Sequence, residues 1–286
     1  MVNLRQIREV LIVSSTVAKT KEYYDGPADE IYKQIWQDNI HMGTWETGNE
    51  DFNTAQEKTN IVMAEKAGIK KGDKVLDSGC GYGATARYLA KTFECSITGI
   101  NISEKELELA SQRTREQGLD NLCVFEYGDF HRLKYPDQSF DMVWSQEAFL
   151  HGEDKRKILE ECFRVVKKGG KFVFSDIVMI KRNATPEDEK KIHERLQTSD
   201  IWDFDDYHKA LKDIGFNVRI EETWSEKVAP SYHAVATGLR ENRQHIESRV
   251  GAEVVDKTLA ALDFWVQAAK KDKIGQVFVV AEKPAN

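Results

Sequence analysis

Val75-Leu76-Asp77-Ser78-Gly79-Cys80-Gly81-Tyr82-Gly83 decides how this chain is to be read. A short apolar run, Lys74–Ser78, meets three glycines at alternate positions, and a helical pattern, Ala84–Thr92, follows with Ala86, Leu89 and Ala90 on one face. Gly79 and Gly81 let the backbone turn sharply and bring its N–H groups close to a ligand. The helix that follows presents the positive end of its dipole to an anionic group. The spacing differs from the G-x-G-x-x-G of dinucleotide binders. A carboxylate at Asp77, just before the first glycine, would crowd a pyrophosphate but suits a cationic amino group.

Working outward, strands and helices alternate regularly over residues 72–177. Ser96–Ile100 reads as a second strand. Ser103, with Glu106 three residues on, is a helix N-cap for a helix that Gly118 stops. Leu122–Tyr127, Phe140–Ser145 and Lys171–Asp176 read as further strands, and Lys155–Val166 as a helix closed by Gly169-Gly170. This rhythm predicts an α/β fold with a doubly wound parallel sheet, whose ligands bind at the carboxyl ends of the strands. Polar groups stand at those ends. Asn101 can bond ribose hydroxyls and Ile102 can cover an adenine face. Asp129 can accept from an exocyclic amine and Phe130 can flank the ring. Ser145 and Gln146 end the fourth strand, followed by Glu147. A cation at Asp77 and a nucleoside at these strand ends together describe the ammonium and adenosine of a methionine-derived cofactor.

The rest of the chain sets bounds. Its 286 residues are 41% hydrophobic, enough for one core with a subdomain or large insertion. A net charge of −7 argues against nucleic-acid binding, which rests on lysines and arginines. Cys80, Cys95, Cys123 and Cys162 form neither a C-x-x-C pair nor a metal-spaced set with histidines, so free thiols and no metal are expected. No stretch approaches the roughly 20 apolar residues of a membrane span, so a soluble cytoplasmic protein is expected. The helical pattern of residues 1–70 suggests a cap, 71–180 the cofactor-binding core, and 181–286 helical insertions with the last two strands. The latter include helices at 185–201, at Phe204–Ile214 and over about 231–271, and strands at Phe216–Thr223 and Gln276–Glu282.

VLDSGCGYG, GINIS, GDF and FRVVKKGGKFVFSD resemble motifs of the seven-strand methyltransferases that use S-adenosylmethionine. The resemblance implies a sheet in the order 3-2-1-4-5-7-6 with the last strand antiparallel. It also implies S-adenosyl-L-methionine as cofactor and S-adenosyl-L-homocysteine as product. Here the motif reads Ser-Gly-Cys-Gly where the related enzymes have Leu-Gly-Ala-Gly.

For the acceptor, the cap offers Tyr23, Tyr24, Trp36 and His41, whose rings can surround a methylated ammonium. The stretch after strand four offers Glu147 and His151. YYDGPADEIYKQIWQDNIHMG and WSQEAFLH are similar to the sarcosine and dimethylglycine N-methyltransferases that make glycine betaine. Gln37-Asp38-Asn39-Ile40 replaces their Gly-Gly-Glu-Asp. The phosphoethanolamine N-methyltransferases share the Ser-x-acidic-x-x-x-His run, and that likeness implies that Tyr23 or Tyr24 with His151 assists loss of the amine proton. Arg195 is the candidate partner for an acceptor carboxylate, and Tyr232 a further substrate contact. The cap core 22–45 holds only Lys33, which favours a zwitterionic amine over a phosphobase. The aromatic C-terminal part, with Trp224, Phe264 and Trp265, keeps a larger aromatic or terpenoid acceptor as the alternative. A monomer or homodimer is expected.

Overall fold

A computed structural model describes residues 31–196, 198 and 200–286. Its centre is a seven-stranded sheet in the order β3-β2-β1-β4-β5-β7-β6. The strands are β1 (Lys74–Ser78), β2 (Ser96–Asn101), β3 (Cys123–Tyr127), β4 (Phe140–Gln146), β5 (Val166–Met179), β6 (Asn217–Thr223) and β7 (Ile274–Glu282). β1 to β5 pair in parallel, and β7 runs antiparallel to both β5 and β6. The strand order and direction expected from the motifs are therefore found.

Strand alternation sends successive side chains to opposite faces, and each face has its own helices. Helices α1 (Phe52–Ala67), α2 (Ala84–Phe93) and α3 (Glu104–Glu116) accompany the first strands. Met63, Ala64, Leu89 and Ala90 meet Val75, Ile97, Trp144 and Phe278 on one face. On the other, α4 (Lys155–Val165) and α6 (Phe204–Ile214) bring Ile158, Leu159, Tyr207 and Leu211 against Leu76, Val143, Phe172 and Phe174. A third apolar cluster joins Ile35, Trp36 and Met42 to α5 (Pro186–Leu196), α7 (Val228–Glu241), α8 (Arg243–Val250) and α9 (Ala252–Lys270) through Ile192, Tyr232, Val235, Leu262 and Trp265. The wall above the sheet is thus composite, built from residues before and after the core.

Local signals act where they stand. Ser103 accepts from the Glu106 N–H at 3.3 Å to cap α3. Gly215, with φ 110°, ends α6. Two expectations need correction. The Gly169-Gly170 pair does not close a helix. α4 stops at Val165, and the pair forms an irregularity inside β5, where the register to β4 shifts between Phe140 and Met142. A Cβ on Gly170 would lie 2.7 Å from the Asp141 carbonyl oxygen and 2.9 Å from that of Lys167, so only glycine lets the two chains close. The pattern over 231–271 is three helices, because the chain breaks at Asn242 and again at Gly251 (φ 87°). No described helix is long and apolar enough to cross a membrane.

Gly170→Ala is therefore expected to destabilise the protein by about 1–3 kcal/mol, the usual cost of forcing atoms into filled space. Urea unfolding would measure this, and an unchanged midpoint would show that the β4–β5 junction can yield.

Candidate active site

The glycine loop leaves β1 with Gly79, Gly81 and Gly83 all at positive φ, 87°, 49° and 73°. A side chain on Gly79 would strike the Cβ of Ala148, so the loop lies directly against the segment after β4. Asp77 sits at the floor of this loop, 3% exposed. Its Oδ2 has no hydrogen-bond partner, and burial pushes its pKa up to about 7. A buried carboxylate oxygen left unbonded is costly unless a cation or donor joins it. It is what the ammonium of a methionine moiety would satisfy, and the residues present fit that cofactor.

Two cavities meet at the loop, sharing Ile40, Gly79, Gly81 and Gln146 as walls. The first holds Asp77 together with Asp38, Asn39, His41 and Thr85. The second holds Asn101, Ile102, Glu106 and Phe130 on one side and Glu147, Ala148 and His151 on the other. Nucleoside-facing and acceptor-facing candidates thus share one space.

Asn101 accepts from the N–H groups of Ile102 (2.7 Å) and Ser103 (3.3 Å) and donates to Glu106 Oε2 at 2.5 Å. Glu106 is 4% exposed and lines the cavity. Glu106 thus sets a buried carboxylate beside Asn101 at the end of β2. Sequence reasoning saw Glu106 only as part of a helix start. Phe130 packs edge-on to Phe149 at 5.5 Å and borders the cavity. Asp129 turns toward His131, accepting from its N–H at 2.9 Å and contacting Nδ1 at 2.7 Å, and lines an adjoining cavity with Tyr127, Arg132 and Tyr135. Burial would raise its pKa, but the bonds from His131 hold it below the usual carboxylate value. Ser145 does not line either cavity. Fully buried, it donates to the Ser78 carbonyl at 2.8 Å and ties β4 to β1, while Gln146, next along, points into the space.

Glu147 has φ 46°, a left-handed conformation uncommon for a residue with a side chain. Its Oε1 accepts from Ser175 Oγ at 2.7 Å and from Gln276 Nε2, and its Oε2 from the Met42 N–H at 3.1 Å. Burial pushes its pKa up to about 7 against the pull of these donors. His151 ends a short 3-10 turn, Phe149–His151, which is pinned where Thr198 Oγ1 donates to Leu150 O and Lys155 Nζ to Gly152 O. Tyr23 and Tyr24 lie outside the described residues.

A strap over residues 38–44 crosses the loop. Asp38 pairs with Arg87 of α2 at 3.1 Å and with Arg113 of α3. Asn39 and His41 accept through their carbonyls from Gln56, and the Gly43 N–H donates to Ser231 Oγ at 2.9 Å. His41 is buried against α1. Trp36 and Tyr232 are packed edge to face at 6.2 Å, with Tyr232 also on Trp265 at 4.9 Å, within the third apolar cluster. The Arg195 guanidinium lies over Tyr232 and Trp265 and borders an outer groove with Lys191 and Phe264, away from Glu147's cavity. Sequence reasoning also missed the buried polar face of α1. Gln56, Thr59 and Asn60 recur at i, i+3 and i+4 and are all at most 2% exposed. That spacing was the available signal.

Comparison with known proteins agrees. Residues 69–227 match the family model of a methyltransferase domain. A glycine/sarcosine/dimethylglycine N-methyltransferase of Actinopolyspora halophila is 36% identical over 89% of this chain. The chain spans 45% of that relative's length. The 27-O-demethylrifamycin SV methyltransferase of Amycolatopsis mediterranei is 32% identical over 91% of this chain and 95% of its own. A crystal structure of a provisionally assigned sarcosine dimethylglycine methyltransferase from Galdieria sulphuraria superposes with a TM-score of 0.86 at 25% identity, covering 92% of this chain and 99% of that one.

Asp77→Asn is expected to weaken S-adenosylhomocysteine binding about tenfold or more, the usual worth of a charge-assisted bond. The same change should stabilise the empty protein at pH 8. Asp77's folded pKa lies above its unfolded value, so burying its charge costs increasingly as pH rises through about 7. Calorimetric titration and thermal melts would read both. Unchanged affinity with lowered stability would mean that Asp77 serves the fold alone.

Proposed function

Given that the chain belongs to the methyltransferase domain family and is an S-adenosylmethionine-dependent methyltransferase, we propose that its acceptor is a small N-methylated amino acid, with sarcosine and dimethylglycine foremost. One observation carries this reading. A half-buried carboxylate, Glu147, faces the same cavity as the nucleoside-end residues, held in place by three donors and with its pKa raised to about 7.

The cofactor supplies a methyl group bound to a sulfonium, and the acceptor must supply a nitrogen lone pair. An alkyl ammonium, with a pKa of about 10 like that of lysine, has no such lone pair at neutral pH. Glu147 attracts the ammonium as a carboxylate, and a group with a pKa near 7 is well placed to accept its proton. The N–C bond then forms as the C–S bond breaks, its electron pair staying on sulfur. His151 borders the same cavity and is the second group positioned to move that proton. The fixed backbone of Glu147 contributes orientation, which governs the rate of such a displacement. The resemblance assigns a tyrosine partner to His151, and Tyr23 and Tyr24 remain its candidates.

The Amycolatopsis relative, similar over nearly the whole chain, supports a second reading with a larger natural-product acceptor. A panel of sarcosine, dimethylglycine, phosphoethanolamine and hydroxyl-bearing polyketides separates the two. Turnover of the N-methylglycines is expected, and turnover confined to oxygen or carbon acceptors would refute the amine reading. With an amine acceptor, kcat/KM should rise with pH through about 7 as Glu147 ionises. Glu147→Gln should remove that limb and lower kcat/KM by about 100-fold. A variant with an unchanged pH profile would exclude Glu147 as the base.

A further inference from the structure

A chain of hydrogen-bonded side chains runs from the sheet to the strap, and its direction can be read. Trp144 Nε1, which can only donate, bonds Gln146 Oε1 at 2.9 Å. Gln146 must therefore present Nε2 to Asn60 Oδ1, at 3.1 Å. Asn60 in turn presents Nδ2 to Asn39 Oδ1, also at 3.1 Å. The last atom of the chain is thus an acceptor, and His41 Nε2 stands 3.2 Å from it. The other ring nitrogen, Nδ1, stands 3.1 Å from the Met42 carbonyl oxygen. Both nitrogens face acceptors, so a neutral imidazole satisfies only one of them and an imidazolium satisfies both.

His41 also lines the cavity that holds Asp77. The methionine moiety of the cofactor carries a carboxylate beside the ammonium that Asp77 fits. Among the described residues lining that cavity, His41 is the sole side chain able to carry a positive charge. We infer that His41 is the cation whose charge answers the cofactor's carboxylate across the cavity, taking up a proton when the cofactor binds while both ring N–H groups stay on Asn39 and Met42. This assignment rests on the Asp77 cofactor site and moves His41 from the acceptor to the cofactor.

The surrounding charges are consistent with a proton taken up on binding. Lys227, at the head of α7, opposes a charge on His41, whereas the Met42 carbonyl favours one, and Asp77 and Asp38 share the cavity. Arg87 is committed to Asp38 and Tyr82 O, and Glu147 to Met42 N, Ser175 and Gln276. In the empty protein burial dominates and lowers the His41 pKa to about 4, so the ring is neutral before binding. A carboxylate in the cavity adds a third reason for the second proton. With the bound pKa above the free one, affinity falls as pH rises between the two.

Two ligands isolate the effect: S-adenosylhomocysteine and its decarboxylated analogue S-adenosyl-3-thiopropylamine, which keeps the ammonium and so cancels the contribution of Asp77. In the wild type, the affinity ratio of the first to the second should fall about fivefold or more from about pH 6 to about pH 8. In His41→Gln the ratio should be flat. At about pH 6 that variant should lose about tenfold for S-adenosylhomocysteine, the worth of a nearby charge, and stay within about twofold for the analogue. A flat ratio in the wild type overturns the inference, whatever the variant does. Equal loss of both ligands in the variant also overturns it, since that marks a purely structural role. Failure of the wild type to bind S-adenosylhomocysteine at all would instead overturn the cofactor site.

Discussion

The structure around the active site is organised by one unmet need, the buried carboxylate of Asp77. An ionisable group taken out of water costs free energy unless a partner replaces the lost solvation. The fold places Asp77 in the middle of the sheet, under a loop whose three glycines adopt positive φ, and leaves one oxygen without a bond. The surroundings preserve that state. Gly79 is pressed against Ala148, the strap is tied down by Arg87 and Arg113, and Ile40 lies 3.6 Å from where a Gly81 side chain would begin. The same geometry that destabilises the empty protein pre-pays the binding of a cationic cofactor.

A second carboxylate, half-buried, shows how environment separates roles. Asp77 and Glu147 both have pKa values raised to about 7 by burial. Asp77 has an oxygen with no donor. Glu147 has three donors from three parts of the chain: the strap, β5 and β7. The first is suited to a permanent ion pair, the second to a group held in one position while a proton comes and goes. Glu147 also joins the strap to the sheet, so the proposed base is held by the same contacts that tie the strap over the cavity.

Much of this was legible in the sequence, for a physical reason. Strand–glycine–helix units and capping residues are local devices, so Asp77, Gly79, Gly81 and Ser103 could be read directly, while the strand order came only with the resemblance of the motifs. What was not legible depends on contacts between distant segments. Glu106 reaches the cavity only because α3 turns it back toward Asn101. Asn60 matters because β4 and the strap meet on it. Ser145 looked like a cofactor contact, but strand alternation turns it to Ser78. Arg195 looked like an anion partner, but its helix places it over the outer side of Tyr232 and Trp265. Gly169-Gly170 looked like a helix stop and instead relieves crowding inside a strand.

The central claim is that two adjoining cavities hold the cofactor, Asp77 orienting it in the first so that its reactive sulfur reaches toward Glu147 in the second. A crystal structure with S-adenosylhomocysteine bound tests this most directly. The account predicts the ligand ammonium at about 3 Å from Asp77 Oδ2, a normal hydrogen-bond distance, with the sulfur opening on the side of Glu147 and His151. An ammonium bound elsewhere, or a sulfur facing away from Glu147, would contradict it.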